Sequence, residues 1–298
     1  MIWCVTLNPS LDVTYRLRER FVPGTISLAD TMDARLGGKG NNVARTVQLL
    51  GQPVTVVGVF GGATGAELKG RAENLGIPVV SESVPDDARI CITVISGDGA
   101  ITELRPPGPW VTKHTADRLL SEVERGVLPG DWITISGSLP PGLEPSVYSE
   151  WIDALKSKTA GIIVDCGGEA LSLSVAAQPT AVVPNQEEFL AAFCGKPPSS
   201  VGTHYIVTGG ADGVTWWPPG QGKRRWIPGP VAVVNSVGAG DTFLGALVSQ
   251  IVVGKSWEDA IPWATAAATA SVETVGVAVL DPSRIALHLA KIQEARLC

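Results

Sequence analysis

Short, unbroken apolar runs alternate with helix-length segments along almost the whole chain, and this alternation narrows the folds open to it. The runs are Ile2–Leu7, Val54–Phe60, Trp132–Ser136, Gly161–Asp165, Thr180–Val183, Tyr205–Thr208, Val214–Trp217 and Val231–Val234. Helix candidates fall between and after them: Asn41–Leu50, Gly65–Leu75, Thr115–Arg125, Pro145–Lys156, Gln186–Phe193, Ala239–Val253, Trp257–Val275 and Ser283–Ala295. A strand that is apolar at successive residues must be buried on both faces, which happens in a parallel sheet covered by helices on each side. The expected class is α/β: a doubly wound, mostly parallel sheet with helices on both faces. The 298 residues, 45% of them hydrophobic, suffice for one large core.

Two segments break the alternation. Val13–Arg35 is extended in character, with no helical period. Ile90–Ile95 and Ile101–Arg105 flank Ser96-Gly97-Asp98-Gly99-Ala100, which is hairpin chemistry. Together they are expected to form a small second β-sheet that acts as a lid. The expected division is a core of residues 1–12, 36–87 and 106–298, and a lid of residues 13–35 and 88–105.

Charge excludes several function classes. Acidic residues number 29 against 23 basic, for a formal net charge of −6. A nucleic-acid partner calls for a basic excess or stripe; the nearest candidate, Lys223-Arg224-Arg225, reads as a solvated loop. An anionic substrate must then be held by a few local cations rather than by a general field. Of the five cysteines, none forms a CxxC pair, and no His lies at metal-ligand spacing from any of them. Reduced structural thiols are expected. Met1–Leu7 reads as a strand rather than a leader, and no apolar run reaches the ~20 residues a membrane span needs. The expectation is a cytoplasmic protein without membrane contact.

Two glycine-rich segments carry chemistry. Asn235-Ser236-Val237-Gly238-Ala239-Gly240-Asp241-Thr242-Phe243 opens a long apolar helix. Small residues at Gly238, Ala239 and Gly240 let N–H groups converge at the positive end of a helix dipole, where an anion is held. Asp241 sits where its charge would oppose that anion. It makes sense as a base that takes the proton of an attacking hydroxyl. It makes equal sense as a helix cap, and local pattern does not separate the two. Leu36-Gly37-Gly38-Lys39-Gly40-Asn41-Asn42-Val43-Ala44 is a second loop-to-helix turn, able to admit a ligand close to the backbone. Neither a Walker A pattern nor GxGxxG occurs, which counts against a P-loop ATPase and a nicotinamide dehydrogenase.

These two segments resemble the signature patterns of the ribokinase-like (PfkB) carbohydrate kinases. The match extends along nearly the whole chain. Thr6-Leu7-Asn8-Pro9-Ser10-Leu11-Asp12, Thr102-Glu103-Leu104, Ser136-Gly137-Ser138-Leu139-Pro140-Pro141-Gly142 and Asp165-Cys166-Gly167-Gly168-Glu169-Ala170-Leu171 resemble the phosphohexose-kinase branch. That branch holds 1-phosphofructokinase, tagatose-6-phosphate kinase and the minor 6-phosphofructokinase type. Pro184-Asn185-Gln186-Glu187-Glu188 carries the NxxE pattern, and Thr208-Gly209-Gly210-Ala211-Asp212-Gly213 resembles the nucleotide-binding turn. The resemblance implies ATP-dependent phosphorylation of a hexose phosphate, with Asp241 as base and Gly238, Ala239 and Gly240 as its anion hole. It implies that Asp12, Gly38 and Asn42 hold the sugar and that Lys39, Arg89 and Ser138 hold its phosphate. It places Asn185, Glu188, Thr208, Gly210 and Gly213 at the nucleotide, with Glu188 reaching Mg2+ through water. It also implies a homodimer formed through the lid. The competing readings are a kinase of an unphosphorylated sugar or nucleoside, and a catalytically silent sugar-phosphate-binding homologue.

The chain departs from the branch in places. Thr25-Ile26-Ser27-Leu28 stands where the branch carries Val-Asn-Arg, and Cys91 where it often carries asparagine. Arg105 replaces a neutral residue, and Val183 a lysine. Only 23 residues separate Asn185 from Thr208, too few for the helix that relatives fit there. One sheet face should therefore be less covered, with Trp216, Trp217 and Trp226 available to cover part of it.

Overall fold

The computed structural model describes residues 1–198 and 202–295. Ten strands form the main sheet. In spatial order they are Gln293–Ala295, Arg224–Ile227, Val214–Trp217, His204–Thr208, Ala181–Val182, Gly161–Asp165, Trp132–Ser136, Ile2–Thr6, Val54–Val59 and Val79–Glu82. From His204–Thr208 to Val79–Glu82 every neighbouring pair is parallel; the three strands beyond His204–Thr208 are antiparallel. The expected α/β class holds.

Side-chain alternation builds the layers. On the first strand Ile2 and Cys4 enter one core and Trp3 and Val5 the other. The first core lies under the helices Lys39–Leu49, Ala239–Val252 and Trp257–Ser271; the second lies under Lys113–Gly126, Val147–Leu155 and Gly168–Ala176. Each of these cores removes large apolar area from water, the dominant stabilising term in a fold of this size. Four more strands form a separate sheet, in the order Ala29–Gly37, Ser10–Leu17, Arg89–Ile95 and Ile101–Leu104. Ser10–Leu17 runs antiparallel to Ala29–Gly37 and parallel to Arg89–Ile95, which puts Asp12 between Arg35 and Cys91.

The structure corrects several sequence expectations. Val231–Val234 is not a strand. The strand next to Val214–Trp217 is instead Arg224–Ile227, paired on its far side to Gln293–Ala295, which forms the edge. Val231 and Val233 instead line a cleft, and the N–H of Val234 is bonded to the Val272 carbonyl at 2.7 Å. Apolar character there serves a cavity wall, a use that hydropathy alone cannot tell from a strand. Lys223-Arg224-Arg225 is not a simple solvated loop, because Arg224 and Arg225 begin the strand Arg224–Ile227. Arg224 pairs with Glu258 and Glu294 and lies 5.1 Å from the Trp226 ring centre. Ser283–Ala295 is not one helix: a 3-10 turn Pro282–Arg284 leads into the helix Ile285–Leu289, and the chain then extends to complete the sheet edge. Gly168–Ala176 and Val79–Glu82 are elements the sequence pattern missed.

The short Asn185–Thr208 segment holds one helix, Gln186–Phe193, which ends in left-handed Cys194. Aromatic rings fill both faces beside it. Trp217 stacks on Phe189 at 5.2 Å, and Phe193 meets Tyr205 edge-on at 6.0 Å. On the opposite face Trp216 packs on Trp226 at 5.9 Å, and His204 stacks between Trp216 and Trp257. Large rigid rings thus supply area that a further helix would have covered. Ser199, Ser200 and Val201 of this segment lie outside the described residues. The four described cysteines are free thiols, with Cys4 and Cys166 buried and Cys194 exposed; Cys298 lies outside the described residues. Among the described residues no helix is long and apolar enough to cross a membrane.

Candidate active site

In an open α/β sheet the carboxyl ends of the parallel strands leave a crevice, and ligands bind there. Here that crevice is a cavity of about 1020 Å³. All fifteen residues singled out from the sequence line it.

The helix Ala239–Val252 starts at Gly238, whose φ of 81° is the left-handed conformation that glycine tolerates. A Cβ at Gly238 would stand 2.7 Å from the Ala278 nitrogen. Gly240 has nothing within 4 Å of the place where a Cβ would stand, so the first turn is open to the cavity. The N–H of Ala239 is bonded to the Ser236 carbonyl at 3.2 Å, whereas those of Gly240 and Asp241, in the first helical turn, have no intrahelical acceptor and can bind an anion.

Asp241 follows, and its side chain is 6% exposed. The Asn42 amide donates to its Oδ2 at 2.8 Å. Burial raises the Asp241 pKa most. Lys39 and the Asn42 bond pull it back, and the Asp165 and Asp12 carboxylates push it up, to about 7. Asn42 reaches Asp241 because two helices approach closely. A Cβ at Gly245 would lie 2.7 Å from the Thr46 side chain, and one at Gly40 would lie 2.6 Å from the Val5 carbonyl. Those glycines bring Lys39–Leu49 down onto both the sheet and the helix of Asp241. Gly38 caps this helix at a φ of 91°.

On the strand Ser10–Leu17, Asp12 takes a hydrogen bond from the Ser10 hydroxyl at 2.6 Å. Burial raises its pKa above the ordinary carboxyl value, against the Ser10 bond and the Arg89 charge. Its carboxyl carbon lies 2.0 Å from where a Cβ of Gly37 would stand, so a side chain at 37 would displace the Asp12 carboxyl group. Arg89 donates to the Asn8 carbonyl at 3.0 Å and the Pro106 carbonyl at 3.4 Å, while its buried Nε has no partner. The Ser138 hydroxyl is held by the Asn8 amide at 3.5 Å. Arg105 lines the cavity too, forked onto both oxygens of Glu103.

At the start of the helix Gln186–Phe193, Asn185 and Glu188 form a capping box. The Asn185 side chain accepts from the Glu188 N–H at 2.9 Å, and Glu188 Oε2 accepts from the Asn185 N–H at 2.9 Å. The NxxE spacing is thus first a helix-start device, which leaves Glu188 Oε1 to face Lys39 Nζ at 3.8 Å. Thr208 bridges to Asn185 at the sheet end. Gly213, at a φ of 87°, leaves no room for a Cβ, which would stand 2.0 Å from the Trp226 carbonyl oxygen; Gly210 opens the adjoining turn.

Lys39 lines the same cavity as Arg89 and Ser138, with its Nζ 2.9 Å from Asp165 Oδ1. Burial pushes its pKa down, but the carboxylates of Asp165, Asp241 and Glu188 outweigh that, and the ammonium is held above its ordinary value. Asp165 itself was not singled out. Its signal was its position, the last residue of a parallel strand, which by geometry opens on the crevice.

The arrangement combines a buried carboxylate near neutral pKa, free amides beside it, and a fixed cation between three carboxylates. It can remove a hydroxyl proton while an anionic group is held next to the oxygen.

Comparisons with known proteins agree over the whole length. Residues 5–284 match the profile of the pfkB family carbohydrate kinases. The chain is 28% identical to a 1-phosphofructokinase of Vibrio cholerae, over 98% of this chain and 96% of that one. It is 29% identical to a 1-phosphofructokinase of Escherichia coli strain K12, over 97% and 96%. The crystal structure of phosphofructokinase-2 from Escherichia coli in complex with potassium superposes with a TM-score of 0.89 at 27% identity, covering 97% of this chain and 98% of that one.

Proposed function

Because the chain belongs to the pfkB family of carbohydrate kinases, we propose that it transfers the γ-phosphoryl group of ATP to a hydroxyl of a hexose phosphate. The carrying observation is Asp241: a buried carboxylate, held by Asn42 on one oxygen, beside a glycine turn with free space before it. The name of its 1-phosphofructokinase relatives favours a phosphorylated keto-hexose such as fructose 1-phosphate, with fructose 6-phosphate and tagatose 6-phosphate as the other candidates of the branch it resembles.

In this reading the acceptor hydroxyl gives its proton to Asp241 as its oxygen bonds to the γ-phosphorus. The bond from that phosphorus to the β–γ bridging oxygen breaks, and ADP leaves. The amides after Gly238 hold the moving group's oxygens in line. Lys39, charged and placed between Asp241 and Glu188, faces that same group rather than the acceptor's own phosphate. Arg89, with an unspent donor, and Ser138 hold the acceptor's phosphate, and Arg105 supplements them. Asp12, Gly38 and Asn42 orient the sugar. Thr208, Gly210 and Gly213 line the nucleotide site.

The donor set fits Mg2+ held through water. Among the described residues no three metal-ligating side chains cluster, while Asp165 at a strand end and Glu188 in the first turn of Gln186–Phe193 present carboxylates to the cavity. Magnesium keeps several waters and binds through one or two carboxylates plus substrate phosphates. When bound with the nucleotide it neutralises charge on the phosphate oxygens.

A coupled ADP-release assay with the three hexose phosphates and their unphosphorylated sugars tests the reading. Turnover is expected with at least one phosphorylated acceptor, at a kcat/KM at least ~100-fold above the parent sugar, because a charge-assisted bidentate contact is lost with the phosphate. A preference for the plain sugar or a nucleoside would move the chain to the neighbouring kinase class. No turnover with any acceptor would make it a silent binding protein.

The second sheet would close over the acceptor as a lid, excluding water from the transfer. The division 1–12, 36–87 and 106–298 against 13–35 and 88–105 describes that motion. Exposed Ile26, Leu28, Met32 and Leu104 on or beside this sheet support a homodimer formed through it. Light scattering is expected to give twice the 31.1 kDa chain mass; a monomer at assay concentration would remove the dimer.

A further inference from the structure

The groups assigned so far line the cavity, whereas Arg45 does not. It lies one helical turn beyond Asn42, on the same face of Lys39–Leu49. Its Nη1 donates to Asn42 Oδ1 at 3.3 Å, and Asn42 Nδ2 donates to Asp241 Oδ2 at 2.8 Å. We propose that Arg45 is a positioning residue that locks the Asn42 amide so that it can serve Asp241 only as a carboxylate. This rests on the reading of Asp241 as the base.

The argument is one of donors and acceptors. An amide beside a carboxyl group can face it in two ways. Its NH2 donates to the ionised form, or its carbonyl accepts from the protonated form. The second arrangement stabilises the acid and disarms the base. Arg45 forbids it. A guanidinium has five donors and no acceptor, so a flipped Asn42 would turn its NH2 onto another donor in a site where Asn42 is almost fully buried. An unpaired buried donor is costly, whereas the observed orientation satisfies both ends. Orientation and charge then act in the same direction, because a cation near a carboxylate also favours its ionised form.

The surroundings make this lock matter. Lys39, Asp165 and Asp12 also face Asp241, and the two carboxylates favour its protonated state. Arg45 is itself surrounded by Arg35, Asp12, Asp33 and Asp241. Burial and Arg35 lower its pKa, yet a guanidinium remains charged at any physiological pH. Arg35 is engaged with Asp33, so it does not substitute for Arg45 at Asn42.

Arg45→Met tests the proposal through the pH profile of kcat/KM. The acid limb is expected to move up by about one pH unit. At about pH 6 the variant should be down ~10-fold, and at about pH 9 less than ~2-fold, because an ionised base no longer needs the lock. Arg45→Gln, which keeps an N–H donor and loses the charge, should shift the limb by about half as much. It also carries the test if Arg45→Met fails to fold by circular dichroism. An equal loss at every pH, or a folded variant with an unmoved limb, overturns the proposal. A wild-type profile with no acid limb would instead remove the base reading itself, so the two failures are distinguishable.

Discussion

Asp241→Asn is expected to lose about 10²–10⁴-fold in kcat while still binding ATP, and at the same time to unfold at a higher temperature than the parent. The loss follows from removal of the proton acceptor, whose contribution in general-base catalysis is of that size. The gain in stability follows from the sign of the pKa shift. Asp241 is raised in the folded protein from 3.8 to about 7, chiefly by burial. Between those values the folded state binds the extra proton, so stability falls as pH rises through that window. At and above neutral pH the ionised carboxylate is therefore a standing cost, and a neutral amide of the same shape relieves it. Strain of this kind is characteristic of groups kept for chemistry rather than for the fold. Thermal melts at about pH 8, a coupled ADP assay and calorimetric titration of ATP check the three parts. For the parent enzyme, the proton-linked argument gives kcat/KM rising with pH through about 7, as the carboxylate becomes available. Near-normal turnover in the Asn variant would end the base assignment.

Gly238→Ala is expected to lower kcat about 10²-fold and to reduce stability, with the acceptor KM little changed. Two effects combine. A φ of 81° costs a non-glycine residue roughly 1–2 kcal/mol. The new methyl would also meet backbone, 2.7 Å from the Ala278 nitrogen, and the Val277 side chain at 3.0 Å. Backbone gives way less readily than a flexible side chain, so the first turn must move relative to the 277–278 loop. A displacement of about 1 Å at the amides that hold the travelling phosphoryl group is enough for a loss of ~10²-fold. Gly240→Ala fills the anion site without either effect. Its Cβ would enter open space in the cavity, so the variant should melt like the parent yet turn over slowly. If Gly238→Ala keeps kcat within ~3-fold of the parent, the anion hole is not where this turn places it.

The apolar runs and the glycine turns carried the architecture because they report strictly local demands. A strand buried on both faces needs apolar residues at every position, and a helix entered beside a ligand needs glycine where the backbone turns left-handed. Trp132–Ser136, Gly161–Asp165 and Val214–Trp217 were legible to the residue for that reason. Val231–Val234 was misread because a cavity wall and a strand share the same apolar signal. Arg224–Ile227 was missed because a short strand that opens on two arginines looks like a loop until its partners on both sides are known.

By itself the sequence determined the class of sheet, the two turns at its mouth, the presence of Asp241 at one of them, and a family resemblance that ordered the rest. Tertiary structure alone decided which groups share one space. It brought Asn42 to Asp241 across 199 positions of chain, turned Lys39 onto Asp165 and Glu188, and set Arg45 behind Asn42. It also turned a strand-like run into the wall of the cleft. The physical reason is range. Backbone preference and hydropathy act over a few residues, whereas a pKa near neutrality arises from burial and from charges delivered by separate strands and helices, and those distances exist only once the layers have packed.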